Sequence, residues 1–415
     1  YSELIQKIHS IILIPLRSHV RMKLFWVTLL LSFFSLLLAG AQSGLAPVVS
    51  EDRVKRASYH DEMTIPDLPQ PYMSSSPRDR NDQLKVGRLG DHDSNESLVF
   101  AYARELGQPS ADPKFGMTDS LLIAHQGKLV FEAYYRRGRA NYPHFQMSIT
   151  KSYTALVLGR AIQLGHLSME DLHKPLVSFL PKLNTDKLVQ GAESITLHQA
   201  MQMRSGIRLP QKRIHQVVTH ARQLIGIGQA QAYLQFSSPI PPHPRAYKYQ
   251  ASDPNLTMQV IEAMVPGPAE IFIRNELLKP LGIFNYLWQR DQSHFPKSAA
   301  GSSMLSRDMV KFGLLLLNQG KWNGEQLVPA DYLQRAVSPL VQTNKEYFYG
   351  YFWWNLTFEL EGMKYPMIQG CGAGGQFIFI FPTFELVVVA TAHNKGMGNM
   401  LKELPGKIVP AFYKK

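Results

Sequence analysis

Four apolar runs of strand length lie toward the two ends of this chain, and the long stretch between them has the periodicity of helices. On the N-terminal side, residues 120–125 and 129–135 flank the short turn Gln126-Gly127-Lys128, the pattern of a hairpin. On the C-terminal side, an extended segment (364–369) and a glycine-rich turn (370–375) lead into the runs 377–381 and 386–391. Between about 148 and 335 the pattern is helical, broken by the Pro-rich loop 239–244, with a further helix over 97–106 and a terminal one over 400–413. Two strands alone are marginal in water, so the two ends are expected to combine. The expected fold is α+β, with one antiparallel sheet made from both chain ends, flanked by helices, and a mainly helical insertion. No internal repeat is present.

Composition narrows the rest. The 415 residues are 45% hydrophobic and 18% charged, enough for a large core. The single cysteine, Cys371, excludes an internal disulfide framework and a cysteine-rich zinc site. Met22 and Lys23 precede an apolar run, 24–38, that ends in Ala39-Gly40-Ala41. This is the pattern of a secretory signal peptide over 22–41, cleaved after Ala41, and an uncleaved segment would instead anchor the chain in a membrane. Residues 1–21 read as sequence upstream of the true start, and the mature protein is expected to be periplasmic or secreted. Residues 42–95, rich in Pro, Ser, Asp and Arg, read as a linker or wrapping segment, leaving 96–415 as the folded domain. Four basic residues against one acid in 1–41 leave +9 of the formal +12 on the remainder. The basic residues are scattered among acids, so no nucleic-acid partner is expected.

The most informative stretch is Phe145-Gln-Met-Ser148-Ile-Thr-Lys151-Ser-Tyr153. If a helix starts near Ser148, Lys151 lies one turn on and shares its face. A serine hydroxyl is a weak nucleophile at neutral pH, and a neighbouring deprotonated amine can act as its base. The apolar neighbours Met147, Ile149, Tyr153 and Leu156 can bury that amine and lower its pKa. Backbone N–H groups at a helix start also suit a developing oxyanion. The alternative is an N-cap serine beside a surface lysine.

Further matches surround this pair. Ser148-Ile-Thr-Lys-Ser-Tyr-Thr is followed by Ala161-Ile-Gln-Leu-Gly165 and Val177-Ser-Phe-Leu-Pro181. After these come Ile195-Thr-Leu-His-Gln-Ala-Met-Gln-Met-Arg-Ser205-Gly206, Ala299-Ala-Gly-Ser-Ser-Met-Leu-Ser-Arg-Asp308 and Gly320-Lys-Trp-Asn-Gly324. In this order, over about residues 97–413, they resemble the serine β-lactamase and D,D-peptidase superfamily. The resemblance is to its class C-like branch, which includes family VIII carboxylesterases and 6-aminohexanoate-dimer hydrolase. It implies a catalytic tyrosine after Ser148 and Lys151, and Tyr249 in Tyr247-Lys-Tyr249-Gln-Ala251 takes that place; Ala251 stands where the family often has Asn. It also implies a strand reading Lys-Thr-Gly in β-lactamases. Here Gln369-Gly-Cys371-Gly-Ala373-Gly-Gly375-Gln376 has no base at the matching place and is closer to the glycine-rich version of the ester and amide hydrolases. The oxyanion hole is then expected from the backbone N–H of Ser148 and Ala373, with Gly372 the fallback.

Other candidates are weaker. Cys371 has no evident histidine partner and reads as a small buried residue. His393 suits a capping or surface role, with the edge of the site as the alternative. The aromatic group Tyr347, Tyr349, Tyr351, Phe352, Trp353 and Trp354 reads as core or as the lining of an acyl pocket. No Gly-x-Ser-x-Gly elbow, His-Glu-x-x-His pair or phosphate-binding loop is present. The expected function is an exported serine hydrolase that cleaves esters or linear amides through a Ser148 acyl intermediate, without metal or organic cofactor. A penicillin-binding D,D-peptidase, a class C-like β-lactamase and a non-catalytic envelope binding protein are the alternatives. The partner is a small ester, amide or peptide substrate.

Overall fold

Strand alternation decides which side of the sheet each helix covers. The computed structural model describes residues 45–108, 112, 116–213 and 221–413. The expected leader at 22–41 and the stretch before it lie outside these residues. Among the described residues no helix is long and apolar enough to cross a membrane.

Five strands precede the helical region: β1 (Tyr72–Ser74), β2 (Leu89–His92), β3 (Thr118–His125), β4 (Lys128–Tyr134) and β5 (His144–Phe145). Inside it lie β6 (Leu287–Trp288), β7 (Ser302–Met304) and the small hairpin of β8 (Lys321–Trp322) and β9 (Glu325–Gln326). The chain then forms β10 (Val341–Gln342), β11 (Phe348–Tyr349), β12 (Trp354–Leu360), β13 (Met363–Gly372), β14 (Gln376–Phe381) and β15 (Leu386–Ala392). Nine strands make one sheet in the order β1-β4-β3-β15-β14-β13-β12-β11-β10. All its pairings are antiparallel, and β15, the last strand, pairs with β3 from Leu386↔His125 to Ala392↔Thr118. The two chain ends therefore do share one sheet.

Six helices matter for the site: α1 (Tyr59–Glu62), α2 (Glu96–Gly107), α3 (Ile149–Gln163), α4 (Ser252–Met264), α5 (Ser306–Leu317) and α6 (Met400–Ile408). One sheet face presents Leu122, Ala124, Ile378, Ile380, Val387 and Val389 to the core that contains α3 and α5. The next residues along the same strands, Leu121, Ile123, Phe377, Phe379, Val388 and Ala390, face α2 and α6. A period of two thus feeds two cores, and a one-residue slip would exchange them. Almost every residue of α3 is buried, as expected of a helix enclosed on all sides.

The structure differs from the sequence reading in three places. The terminal helix stops at Ile408 and continues as a 3-10 turn over Val409–Phe412, where Pro410 lacks the N–H that an α-helix needs. The helical middle contributes β6 and β7 to a three-stranded sheet, β5-β7-β6, whose strands are too short to show alternation. β12 was hidden in the aromatic group, and β13 runs on to Gly372, so the tight turn is only 373–375. Residues 46–95, read as a linker or wrapping segment, lie along the domain, where β1 pairs with β4 at the sheet edge. Arg307, only 2% exposed, ties this arm down through Asp82 at 2.7 Å and through Glu132 at 3.3 Å, and Arg80 reaches Glu132 at 3.2 Å.

Candidate active site

Ser148 lies where β5 gives way to α3. Gln146 N–H donates to Ser302 O of β7 at 2.9 Å, and Met147 is held at φ +49°, a region few non-glycine residues adopt. Ser148 occupies the N-cap position, yet its side chain caps nothing. Its Oγ is instead 3.0 Å from Lys151 Nζ. The capping alternative is therefore not what this serine does. Burial pushes the Lys151 amine down to about 8. Ser152, the neighbouring hydroxyl, donates to Phe352 O at 2.7 Å and is turned into the core.

Lys151 also donates to Ala299 O at 2.6 Å. The segment 299–304 is held there by Thr150, whose Oγ1 meets Ser302 Oγ at 2.8 Å and accepts from the N–H groups of Gly301 and Ser302 at 3.2 Å each. A backbone carbonyl leaves no mark in a sequence, and this contact had no signal that could have found it.

The structure brings Tyr249, not Tyr247, to the pair. Lys151 Nζ lies 4.7 Å from the centroid of the Tyr249 ring, which stacks on Trp354 at 5.9 Å and meets Tyr349 edge-on at 6.2 Å. Tyr249 is 40% exposed as a whole residue. Burial pushes that phenol up to about 12, against the pull of hydrogen bonding from Ser148. Tyr247 packs on Tyr349 and Trp354, and its hydroxyl is buried without a partner.

The end of β13 closes the site. A Cβ on Gly372 would lie 2.4 Å from Gln146 O, so the strand meets the segment before Ser148 backbone to backbone, which only glycine permits. Ala373 follows directly, in a turn braced from two sides. Gln376 Nε2 donates to Ala392 O at 2.5 Å, and Asn394 donates to Gly374 O from its backbone N–H at 3.0 Å and from Nδ2 at 3.1 Å. At Gly370 a Cβ would come within 3.3 Å of the Trp353 ring and 3.4 Å of Ser152 Oγ.

The remaining candidates separate. Cys371 is half-buried beside Tyr249, Tyr347 and Tyr349, and burial raises its thiol pKa, which keeps it protonated. His393 Nδ1 pairs with the buried Asp119 Oδ2 at 2.8 Å, so it is neither a cap nor a surface residue. Of the aromatic group, Tyr349, Tyr351, Phe352 and Trp353 are core; Trp354 is half-buried and stacks on Tyr249, and the half-buried Tyr347 meets Trp354 edge-on.

Comparison with known proteins identifies the family and the fold. The family model described as Beta-lactamase matches residues 116–405. Among solved structures, the chain is similar to a putative 6-aminohexanoate-dimer hydrolase from Bacillus anthracis, at 17% identity over 88% of this chain and 97% of that one, with a TM-score of 0.60. It is also similar to EstCE1, a hydrolase with promiscuous acyltransferase activity (15% identity, 77% and 99% covered, TM-score 0.58). A class C β-lactamase gives 15%, 77% and 96%, and 0.57. At these identities the likeness is one of fold. No curated protein matches the chain.

Proposed function

This chain belongs to the β-lactamase family and is a serine hydrolase; on that premise we propose that it cleaves esters or linear amides through an acyl intermediate on Ser148. The carrying observation is the 3.0 Å contact between Ser148 Oγ and a lysine amine whose pKa is about 8. In its neutral form Lys151 accepts the serine proton as Oγ attacks the substrate carbonyl. The backbone N–H groups of Ser148 and Ala373 hold the oxyanion, and Gly372 lets that turn approach. Tyr249, protonated at neutral pH, gives its proton to the leaving group and recovers one from the Lys151 ammonium, which restores the phenol and the neutral amine. Water then releases the acyl group from Ser148.

Two features favour esters and linear amides over β-lactams. Ala251 offers no side-chain amide to the site, and the place where a β-lactamase carries a base to grip the substrate carboxylate is Gly370, hemmed in by Trp353 and Ser152.

The test is hydrolysis of p-nitrophenyl butyrate by the protein and by its Ser148→Ala variant. Loss of the hydroxyl should lower kcat/KM by about 10³-fold or more. Equal activity of the two proteins would place the chemistry elsewhere. A long-lived penicillin adduct on Ser148, without ester turnover, would shift the assignment to a D,D-peptidase.

A further inference from the structure

Beneath the Tyr249 turn lies a carboxylate with no cation among its hydrogen-bond partners. Asp253, in the first turn of α4, is fully buried. Its Oδ1 accepts from Ser205 Oγ at 2.8 Å, from Gln250 Nε2 at 2.6 Å and from Ser252 Oγ at 3.0 Å. Its Oδ2 accepts from Ser205 N–H at 3.2 Å. Burial pushes this carboxyl up to about 6, and the four hydrogen bonds hold it down only in part. A helix start can be capped by a neutral serine or asparagine at far less cost than a buried charge. The carboxylate must therefore answer a need that a simple cap does not.

The need is visible in what the four donors join. Gln250 is the residue after Tyr249, and it donates to Ser205 Oγ at 3.2 Å as well as to Asp253. Lys248, the residue before Tyr249, donates its N–H to Met203 O at 2.9 Å. The phenol thus rides on a segment fastened on both sides to residues 203–205, and Asp253 is the node where most of the fastenings meet.

We propose that Asp253 is a positioning residue for Tyr249: through Gln250 and Ser205 it fixes the turn that holds the phenol against Ser148 and Lys151. The inference rests on the assignment of Tyr249 as proton donor to the leaving group. Asparagine matches aspartate in shape but has one acceptor oxygen. With that oxygen toward the three donors on Oδ1, its amide N–H would face the Ser205 N–H, and the turn would have to shift.

The experiment compares Asp253→Asn, Tyr249→Phe and the double variant on p-nitrophenyl butyrate and on butyl butyrate. A p-nitrophenolate leaves without a proton, whereas an alkoxide requires one. Asp253→Asn is expected to lower kcat on the alkyl ester by about 10- to 100-fold with KM within about twofold, to lower it several-fold less on the activated ester, and to add nothing to Tyr249→Phe. Equal losses on both esters, or losses that multiply in the double variant, would reduce Asp253 to a general structural role and overturn the proposal. Wild-type activity in Tyr249→Phe would overturn it too, by removing the role it depends on; the Ser148→Ala comparison separately tests the nucleophile. Should Asp253→Asn fail to fold, Ser205→Ala removes one donor and leaves the carboxylate in place. It should show the same leaving-group dependence in milder form, and a uniform effect there would likewise overturn the proposal.

Discussion

At pH 7 a free lysine with a pKa of about 10.4 has only about one amine in 2,500 neutral, while a pKa of about 8 makes it about one in eleven. Burying Lys151 therefore raises the supply of base by roughly 200-fold before any geometry is counted. With Lys151 as the base, kcat/KM for a neutral ester should fall about tenfold for each unit below about pH 8 and level off above it. A profile flat from about pH 5 to 9 would exclude Lys151 from that role. Cys371 is the opposite case, because burial raises its pKa and leaves a thiol, not a thiolate. Cys371→Ala should retain ester hydrolysis within about twofold, and a loss of tenfold or more would make the sulfur part of the mechanism. At this scale what was legible in the sequence is the meeting of three side chains: Ser148 and Lys151, one helical turn apart, and Tyr249 from a distant loop. The acceptor at Ala299 was not, because a carbonyl belongs to every residue. Asp253 was missed for another reason: an acid near a helix start has an ordinary local explanation, and its partner Ser205 is remote in sequence.

The elements that carry the site meet at one narrow contact. β13 reaches the start of α3 through Gly372, where any side chain would run into the Gln146 carbonyl at 2.4 Å. That obstacle is backbone and cannot rotate away. Gly372→Val should push the Ala373 turn off Ser148 and lower kcat/KM by about 100-fold, the size of effect that a 1 Å misplacement produces. Far-UV circular dichroism should still report the sheet, since Gly372 is the last residue of its strand. Unchanged kcat/KM in a folded Gly372→Val protein would show that the turn takes no part in the reaction. Strands such as β14 and β15, buried on both faces, announce themselves as continuous apolar runs. β12 did not, because its burial declines toward the sheet edge and its sequence mixes Asn, Thr and Glu among the apolar residues. The two- and three-residue strands of the small sheet are shorter than any periodicity.

Across the whole molecule, the part least legible in sequence is the arm from residue 45 to 95, which lies ahead of the family match at 116–405. Its composition is that of a linker, and what holds it is a set of side-chain contacts to distant residues, such as those to Arg307. One of these reaches the segment that presents Ser148. Glu62 of α1, 6% exposed, bonds His144 Nδ1 at 2.5 Å and accepts from Phe145 N–H at 3.0 Å. Burial works against the imidazolium of His144, but the Glu62 charge and hydrogen bond outweigh it, and the pKa rises to about 9 from an ordinary 6.5. A folded-state pKa above the unfolded one means that the fold binds the proton more tightly. The stabilisation is complete below about pH 6.5 and is lost as the pH climbs through 9, up to about 3 kcal/mol in all. Thermal melts of the wild type should show that loss between pH 6 and 9.5. Glu62→Gln should be less stable than wild type at pH 6 and should lose less on the way up, because the neutral amide no longer holds the imidazolium. Parallel curves for the two proteins would mean that another group carries the pH dependence. The expected convergence at high pH would make the arm a component of the fold whose grip on the Ser148 segment weakens as His144 loses its proton.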